Sequence, residues 1–238
     1  MKKRLVLLPI FGALALAGCS VEDLMFWKKN SSNSDQQQEQ KPSGGDVVPD
    51  EGGSSGGKTS ATVYTPDEPE APAGMSLIGA VKGVDMKDLA FKGYDACKGD
   101  HTTGGFTVNF NGAVQINGDV ASLKNNTNLY VIQFAKKGHE KAAEGGTLTV
   151  KNVQPKKVIV QAFLKSSYSW GANQLGTVTM GGEAVSVPKQ STKTTTEYSS
   201  DYAIHTVTLD VNASEAGDFA INDSNNFAIY IAYIGFFG

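Results

Sequence analysis

The run Asn226-Phe227-Ala228-Ile229-Tyr230-Ile231-Ala232-Tyr233-Ile234-Gly235-Phe236 constrains this chain more than any other feature, because it is apolar on both faces. A strand with one side in solvent alternates apolar and polar residues; a strand that does not must be covered on both sides. The run therefore reads as a central strand and makes the end of the chain part of the core. Upstream, Gly105–Phe110 alternates strictly, with Phe106, Val108 and Phe110 on one face and Thr107 and Asn109 on the other. Asn111-Gly112 reads as a hairpin-type turn into Ala113–Ile116, and Asn117-Gly118 closes that short strand. Further strands are expected at Leu77–Val81, Leu89–Tyr94, Leu129–Ala135, Thr147–Val150, Val158–Leu164, Thr177–Met180, Ala184–Val187, Tyr202–Val211 and Asp218–Ile221. The best helical stretch is Lys136–Glu144, short and bounded by glycines, and no segment sustains a 3.6-residue period. About twelve short strands separated by Gly- and Asn-rich turns predict an all-β, antiparallel β-sandwich over residues 75–238. The absence of a βαβ alternation argues against a nucleotide-binding α/β fold.

Charge divides the chain into three parts. Residues 1–19 carry three basic groups, residues 20–74 four lysines against ten acids, and residues 75–238 fourteen charges of each sign. A neutral domain with no basic run argues against a nucleic-acid partner. Met1-Lys2-Lys3-Arg4 followed by the apolar run Leu5–Ala17 has the layout of a secretory signal, and thirteen residues are too few to span a bilayer. Leu16-Ala17-Gly18-Cys19 resembles the lipobox of bacterial lipoproteins. That resemblance implies residues 1–18 as a signal peptide, a diacylated Cys19 as the mature N-terminus, and a bacterial-envelope protein held in the membrane by its acyl chains. Within the Gram-negative members of that family, Ser20 rather than Asp after the cysteine implies the outer membrane. Glu22-Asp23 is similar to the acidic tract that accompanies surface exposure. A Gram-positive cell would use the same lipobox.

Residues 19–74 read as a lipidated, disordered tether. Leu24-Met25-Phe26-Trp27-Lys28-Lys29 suits a membrane interface, or is an apolar cluster within a flexible tail. The Gln-rich, Gly/Ser-rich and Pro/Glu-rich stretches that follow, ending in Pro66–Pro72, have little to bury. As a random coil, residues 30–74 would reach about 35–40 Å.

Gly217–Ile221 followed by Ala228–Phe236 resembles the closing strands of jelly-roll carbohydrate-binding modules, and Leu129–Ala135 with Val158–Leu164 fits the middle of such a module. The resemblance implies a jelly-roll-like sandwich. It transfers no set of binding residues, so it supports the fold more than the activity.

HExxH and CxxC do not occur, and GxSxG and the phosphate-loop pattern GxxxxGK[ST] are met only within the Gly/Ser-rich stretch Gly52–Thr59 of the tether, not in residues 75–238. Ser186-Val187-Pro188-Lys189 matches S-x-x-K, but the proline is incompatible with the helix that motif needs. Asp95, Cys97, Asp100 and His101 are close in sequence and read as a solvated loop rather than zinc ligands, since no second Cys/His cluster follows. Cys97 is expected to be a buried free thiol. His139 reads as part of a solvated turn, and His205 as a satisfied core or edge histidine. Asn222–Asn226 could supply part of a calcium shell but reads as a turn, so no cofactor is expected.

One loop has the chemistry of a sugar site. Lys165–Gln174 follows a strong strand and carries Tyr168, Trp170, Asn173 and Gln174: flat aromatics for C–H faces, amides for hydroxyls. Against this stands the alternative that Trp170 folds back to cap the sandwich. Tyr198 and Tyr202, flanking the threonine-rich turn Thr192–Thr196, would join only if that turn lay at the same end. The expectation is non-catalytic glycan binding, with polysaccharide and the lipid membrane as partners. The alternative is a structural or adhesive protein contacting another protein.

The anchor is directly testable. A palmitate label should be incorporated by the wild-type chain and lost in Cys19→Ser, which should leave the membrane fraction; equal labelling of both would exclude acylation at Cys19.

Overall fold

Residues 62–90, 92–118, 127–135, 145–197, 199–223 and 228–238 are described by a computed structural model of the chain. They belong to a unit spanning Gly57–Gly238. In chain order its strands are β1 (Thr62–Tyr64), β2 (Leu77–Lys82), β3 (Gly99–Thr103), β4 (Phe106–Gly112), β5 (Val114–Asn117), β6 (Thr127–Leu129), β7 (Val131–Phe134) and β8 (Gly146–Val153). They continue as β9 (Lys157–Lys165), β10 (Thr177–Met180), β11 (Glu183–Val185), β12 (Thr192–Thr196), β13 (Ser199–Asp210), β14 (Gly217–Asp223) and β15 (Ile229–Phe237). Helical structure among the described residues is limited to the 3₁₀ segments Gly83–Leu89 and Ala172–Leu175 and one α-turn, Tyr94–Cys97.

Two sheets face each other in an all-β, jelly-roll-like sandwich. The six-stranded sheet runs β11-β10-β14-β8-β4-β3, and the seven-stranded sheet runs β12-β13-β9-β15-β7-β5, with β2 also paired to β15. Within both sheets the pairings are antiparallel. The core is made by alternate residues: Val108, Phe110, Leu148, Val150, Phe219 and Ile221 from one sheet meet Ile132, Val160, Val207, Ile231, Ile234 and Phe236 from the other. Phe219 and Phe236 cross edge to face at 5.4 Å, and burial of each such ring stabilises the fold by about 1.5–3 kcal/mol.

β15 is the central strand its composition demands. It pairs with β9 on one side; on the other, Ile229–Ile231 pair with β7 and Tyr233–Phe237 with β2. A bulge between Ile231 and Tyr233 coincides with that change of partner. The extra residue lets Ile231 and Ile234, three apart, both reach the core, while Ala232 joins a second cluster with Leu129, Val131, Phe163 and Ile204 on the sheet's outer face.

Several local expectations are corrected. Asn111-Gly112 does not close a hairpin: β4 pairs with β3 and β8, whereas β5 pairs with β7, so the chain crosses from one sheet to the other there. Leu89–Tyr94 is not a strand, because Leu89 ends a 3₁₀ segment and Gly93, at φ 81°, turns the chain into Tyr94–Cys97. Asp100 and His101 lie on strand β3 rather than in a solvated loop. Thr192–Thr196 is an edge strand against β13 rather than a turn, in keeping with the β-branched preference for extended backbone. The folded unit also begins before residue 75. β1 pairs in parallel with β6, Tyr64 packs on the outer-face cluster and Pro66 is buried. Lys136–Glu144, with His139, lies outside the described residues, as does Cys19.

Hairpins between consecutive strands are β3–β4, β10–β11 and β12–β13, the first turned by Gly104-Gly105 at φ 57° and 82°. A Cβ on Gly104 would sit 1.7 Å from the Ala80 carbonyl oxygen, so this turn abuts β2 directly. Gly104→Ala meets both the left-handed backbone and that contact. It should destabilise the domain by about 2–4 kcal/mol; a melting temperature equal to wild type would refute the contact.

Candidate functional site

The loop after β9 is fixed to its neighbours by hydrogen bonds. Ser166 N–H donates to Asp201 O at 2.7 Å and its hydroxyl to Ser200 O at 3.0 Å, while Lys193 Nζ donates to Ser166 O at 2.8 Å. A turn closes where Tyr168 N–H donates to Lys165 O at 2.8 Å. Tyr168 itself is 48% exposed. Trp170 is only partly exposed: it packs on the core, its Nε1–H donates to Pro188 O at 3.0 Å, and His205 stacks against its ring at a centroid distance of 5.8 Å. Trp170 thus ties the loop after β9 to the segment after β11, from one sheet to the other. Gln174 N–H donates to Gly171 O at 3.0 Å, and its buried Oε1 has no hydrogen-bond partner. The side chain of Asn173 and all of Tyr198 lie outside the described residues. Tyr202 packs with Ile204 and Phe163 on the outer face of the seven-stranded sheet, the face opposite His205.

His205 is buried under Trp170. Its Nδ1 lies 2.8 Å from Ser191 Oγ, while Nε2 has no partner. Burial, with Lys193 nearby, holds the imidazole below its ordinary pKa of 6.5.

The metal expectations can be placed as well. His101 Nε2 lies 2.7 Å from the Cys97 carbonyl oxygen, and Asp100 accepts from Asn109 at 2.6 Å and Lys151 at 2.9 Å. Cys97 is buried and free, its thiol pKa pushed up by burial. Asn222 Nδ2 donates to Thr147 Oγ1 at 2.8 Å; residues 224–227 lie outside the described set. Among the described residues no three His, Cys, Asp or Glu side chains gather as a metal site, and no helix is long and apolar enough to cross a membrane.

Sequence reasoning missed a second surface, on the outer face of the seven-stranded sheet. Register places Lys82, Tyr233, Gln161, Thr206 and Thr192 side by side across β2, β15, β9, β13 and β12. Gln161, 6% exposed, donates through Nε2 to Asp67 O at 2.9 Å, and Lys82 forms an ion pair with Glu68. Burial, reinforced by the Glu68 carboxylate, pushes the Tyr233 hydroxyl up to about 12. Beside this row, Gln133 Oε1 accepts from both Gln115 Nε2 at 2.9 Å and Asn117 Nδ2 at 2.8 Å. One signal was available: Gln161 is the only polar residue in the run Val158–Leu164.

The fold and its surfaces define the class, an all-β two-sheet sandwich with aromatic and amide groups at one end and on one outer face. Comparison with protein-family models, curated proteins and solved structures finds no match to this chain.

The buried His205 generates a pH prediction. A depressed folded-state pKa means the unfolded chain binds this proton more tightly. The contribution of neutral His205 is therefore whole above its ordinary pKa of 6.5 and declines as pH falls through that value toward the lower folded-state pKa. The melting temperature should fall over that window, and His205→Asn should flatten this part of the profile. An unchanged slope in the variant would show that His205 does not contribute.

Proposed function

We propose that the chain is a lipid-anchored surface protein of the bacterial envelope whose sandwich binds glycan without catalysis. Cys19 serves as the anchor, with the outer membrane the favoured site. The observation that carries the glycan reading is Tyr168: a half-exposed aromatic ring on a turn held by backbone hydrogen bonds, so little loop entropy is lost when a sugar stacks on it. Trp170 then acts as the floor of the site rather than its platform, and Gln174 stays in the proposed ligand set as the amide whose Oε1 has no hydrogen-bond partner. Asn173 remains part of the proposed ligand set by its place in the loop.

A second reading, contact with another protein, is favoured by Leu77 and Ile78. These neighbours on β2 are 44% and 49% exposed, and paired exposed aliphatics suit a protein interface better than a sugar.

Purified residues 20–238 should bind at least one member of a panel of plant and bacterial polysaccharides. Tyr168→Ala should weaken that binding about threefold to tenfold with little change in melting temperature, the range expected for one aromatic contact. Trp170→Ala should lower both binding and stability. Failure to bind any glycan would overturn this reading, and loss of a cross-linked protein partner in Leu77→Asp would then support the second.

A further inference from the structure

The row Lys82–Tyr233–Gln161–Thr206–Thr192 spans five adjacent strands, a distance of about 19 Å at ordinary strand spacing. Part of it lies beneath residues 62–70. Pro66 is buried, the Asp67 carbonyl sits on Gln161 and the Glu68 carboxylate sits on Lys82. The rest runs clear of this strap, with Thr206 half-buried and Thr192 exposed.

The strap is a poor permanent cover. Its strand pairing is three residues long, its ion pair is half exposed on the Glu68 side, and its contact with Gln161 uses a main-chain carbonyl. It also leaves a defect. Gln161 Oε1 is buried with no donor, although the side chain is 94% buried, and an unpaired buried amide oxygen is costly. The strap satisfies one half of this amide and leaves the other without a donor.

Resting on the glycan reading above, we propose that this row is a second glycan-binding surface, specific for an acidic polysaccharide, and that residues 62–70 are a displaceable strap filling it in its absence. Each strap contact has a counterpart in a uronic-acid chain. A carboxylate replaces Glu68 on Lys82, and a vicinal diol both accepts from Gln161 Nε2 and donates to Oε1. The C–H face of a pyranose replaces the Pro66 ring. Exposed Thr192 and half-buried Thr206 allow a long chain to engage the open part of the row first and then compete with the strap. Tyr233 is set back to make room: its ring lies over Gly235, where a Cβ would stand 2.4 Å from the hydroxyl oxygen. An acidic proline-bearing peptide would match the strap equally well but, like the strap, would bring no hydroxyl to Gln161 Oε1.

The test uses residues 20–238, with polygalacturonate and its methyl ester as probes, titration calorimetry for affinity, and hydrogen exchange at residues 62–70 for the strap. Polygalacturonate should bind and raise exchange across 62–70, and the uncharged ester should bind about tenfold more weakly or less. Lys82→Met should weaken polygalacturonate about tenfold. Glu68→Gln, which loosens the strap while leaving the row intact, should tighten it about twofold to fivefold. Binding without a change in strap exchange, or insensitive to Lys82→Met, would overturn this inference alone, as would binding lost in Tyr168→Ala but kept in Lys82→Met. A peptide of residues 60–72 binding Glu68→Gln where polygalacturonate does not would overturn it in favour of a peptide partner. No binding of any carbohydrate to any variant would overturn the glycan reading as well.

Discussion

β15 must be covered on both faces, and most of the architecture follows from that requirement. Its inward residues Ile229, Ile231, Ile234 and Phe236 are met by the six-stranded sheet through Phe219 and Ile221. Its outward residues Tyr230, Ala232 and Tyr233 need a different cover, since no second sheet lies on that side among the described residues. The chain supplies part of it from its own N-terminal side: Tyr64 on the outer-face cluster, buried Pro66, and the strap contacts to Gln161 and Lys82. The bulge at Ile231–Tyr233 reconciles the two faces by resetting the alternation where the strand changes partner from β7 to β2.

The open end of the sandwich poses a related problem. An inward-facing His205 is a polar ring at the margin of an apolar core, and Trp170 closes over it with one polar atom directed to Pro188 O. An indole suits this role because it is large and flat but still carries a donor that must be satisfied. The same properties make tryptophan a good sugar platform. Burial, rather than residue type, separates the two uses, and by that measure Tyr168 is the more accessible ring. The proposed division of labour, with Tyr168 contacting ligand and Trp170 holding the loop, follows from that difference in exposure.

The all-β character, the central last strand and most strand positions were legible because period-two alternation and short apolar runs are properties of neighbouring residues. What was misread involved partners distant in sequence. Asn111-Gly112 has hairpin chemistry, but whether the next strand pairs with β4 or joins the facing sheet depends on β7 and β8. Thr192–Thr196 looked like a turn because it is polar throughout, yet an edge strand has little apolar surface to bury. Residues 62–74 have the composition of a linker, and composition does not register that one proline and one carbonyl find a prepared surface. For the candidate site, the loop chemistry of Tyr168, Trp170 and Gln174 was readable. The outer-face row was not, because its members are scattered from residue 82 to residue 233.

The sequence by itself determined that this chain would form many short strands and that Phe227–Phe236 would lie at the centre of a sheet, and it raised the resemblance of Leu16–Cys19 to a lipobox. These are consequences of local order: side-chain alternation, turn residues and the spacing of charge against an apolar run. Only the tertiary structure decided which sheet each strand joined, that Trp170 would stack on His205, and that Lys82, Tyr233 and Gln161 would stand in one row beneath the strap. Those outcomes depend on register between strands remote in the chain, and a shift of one residue would have turned each side chain to the opposite face.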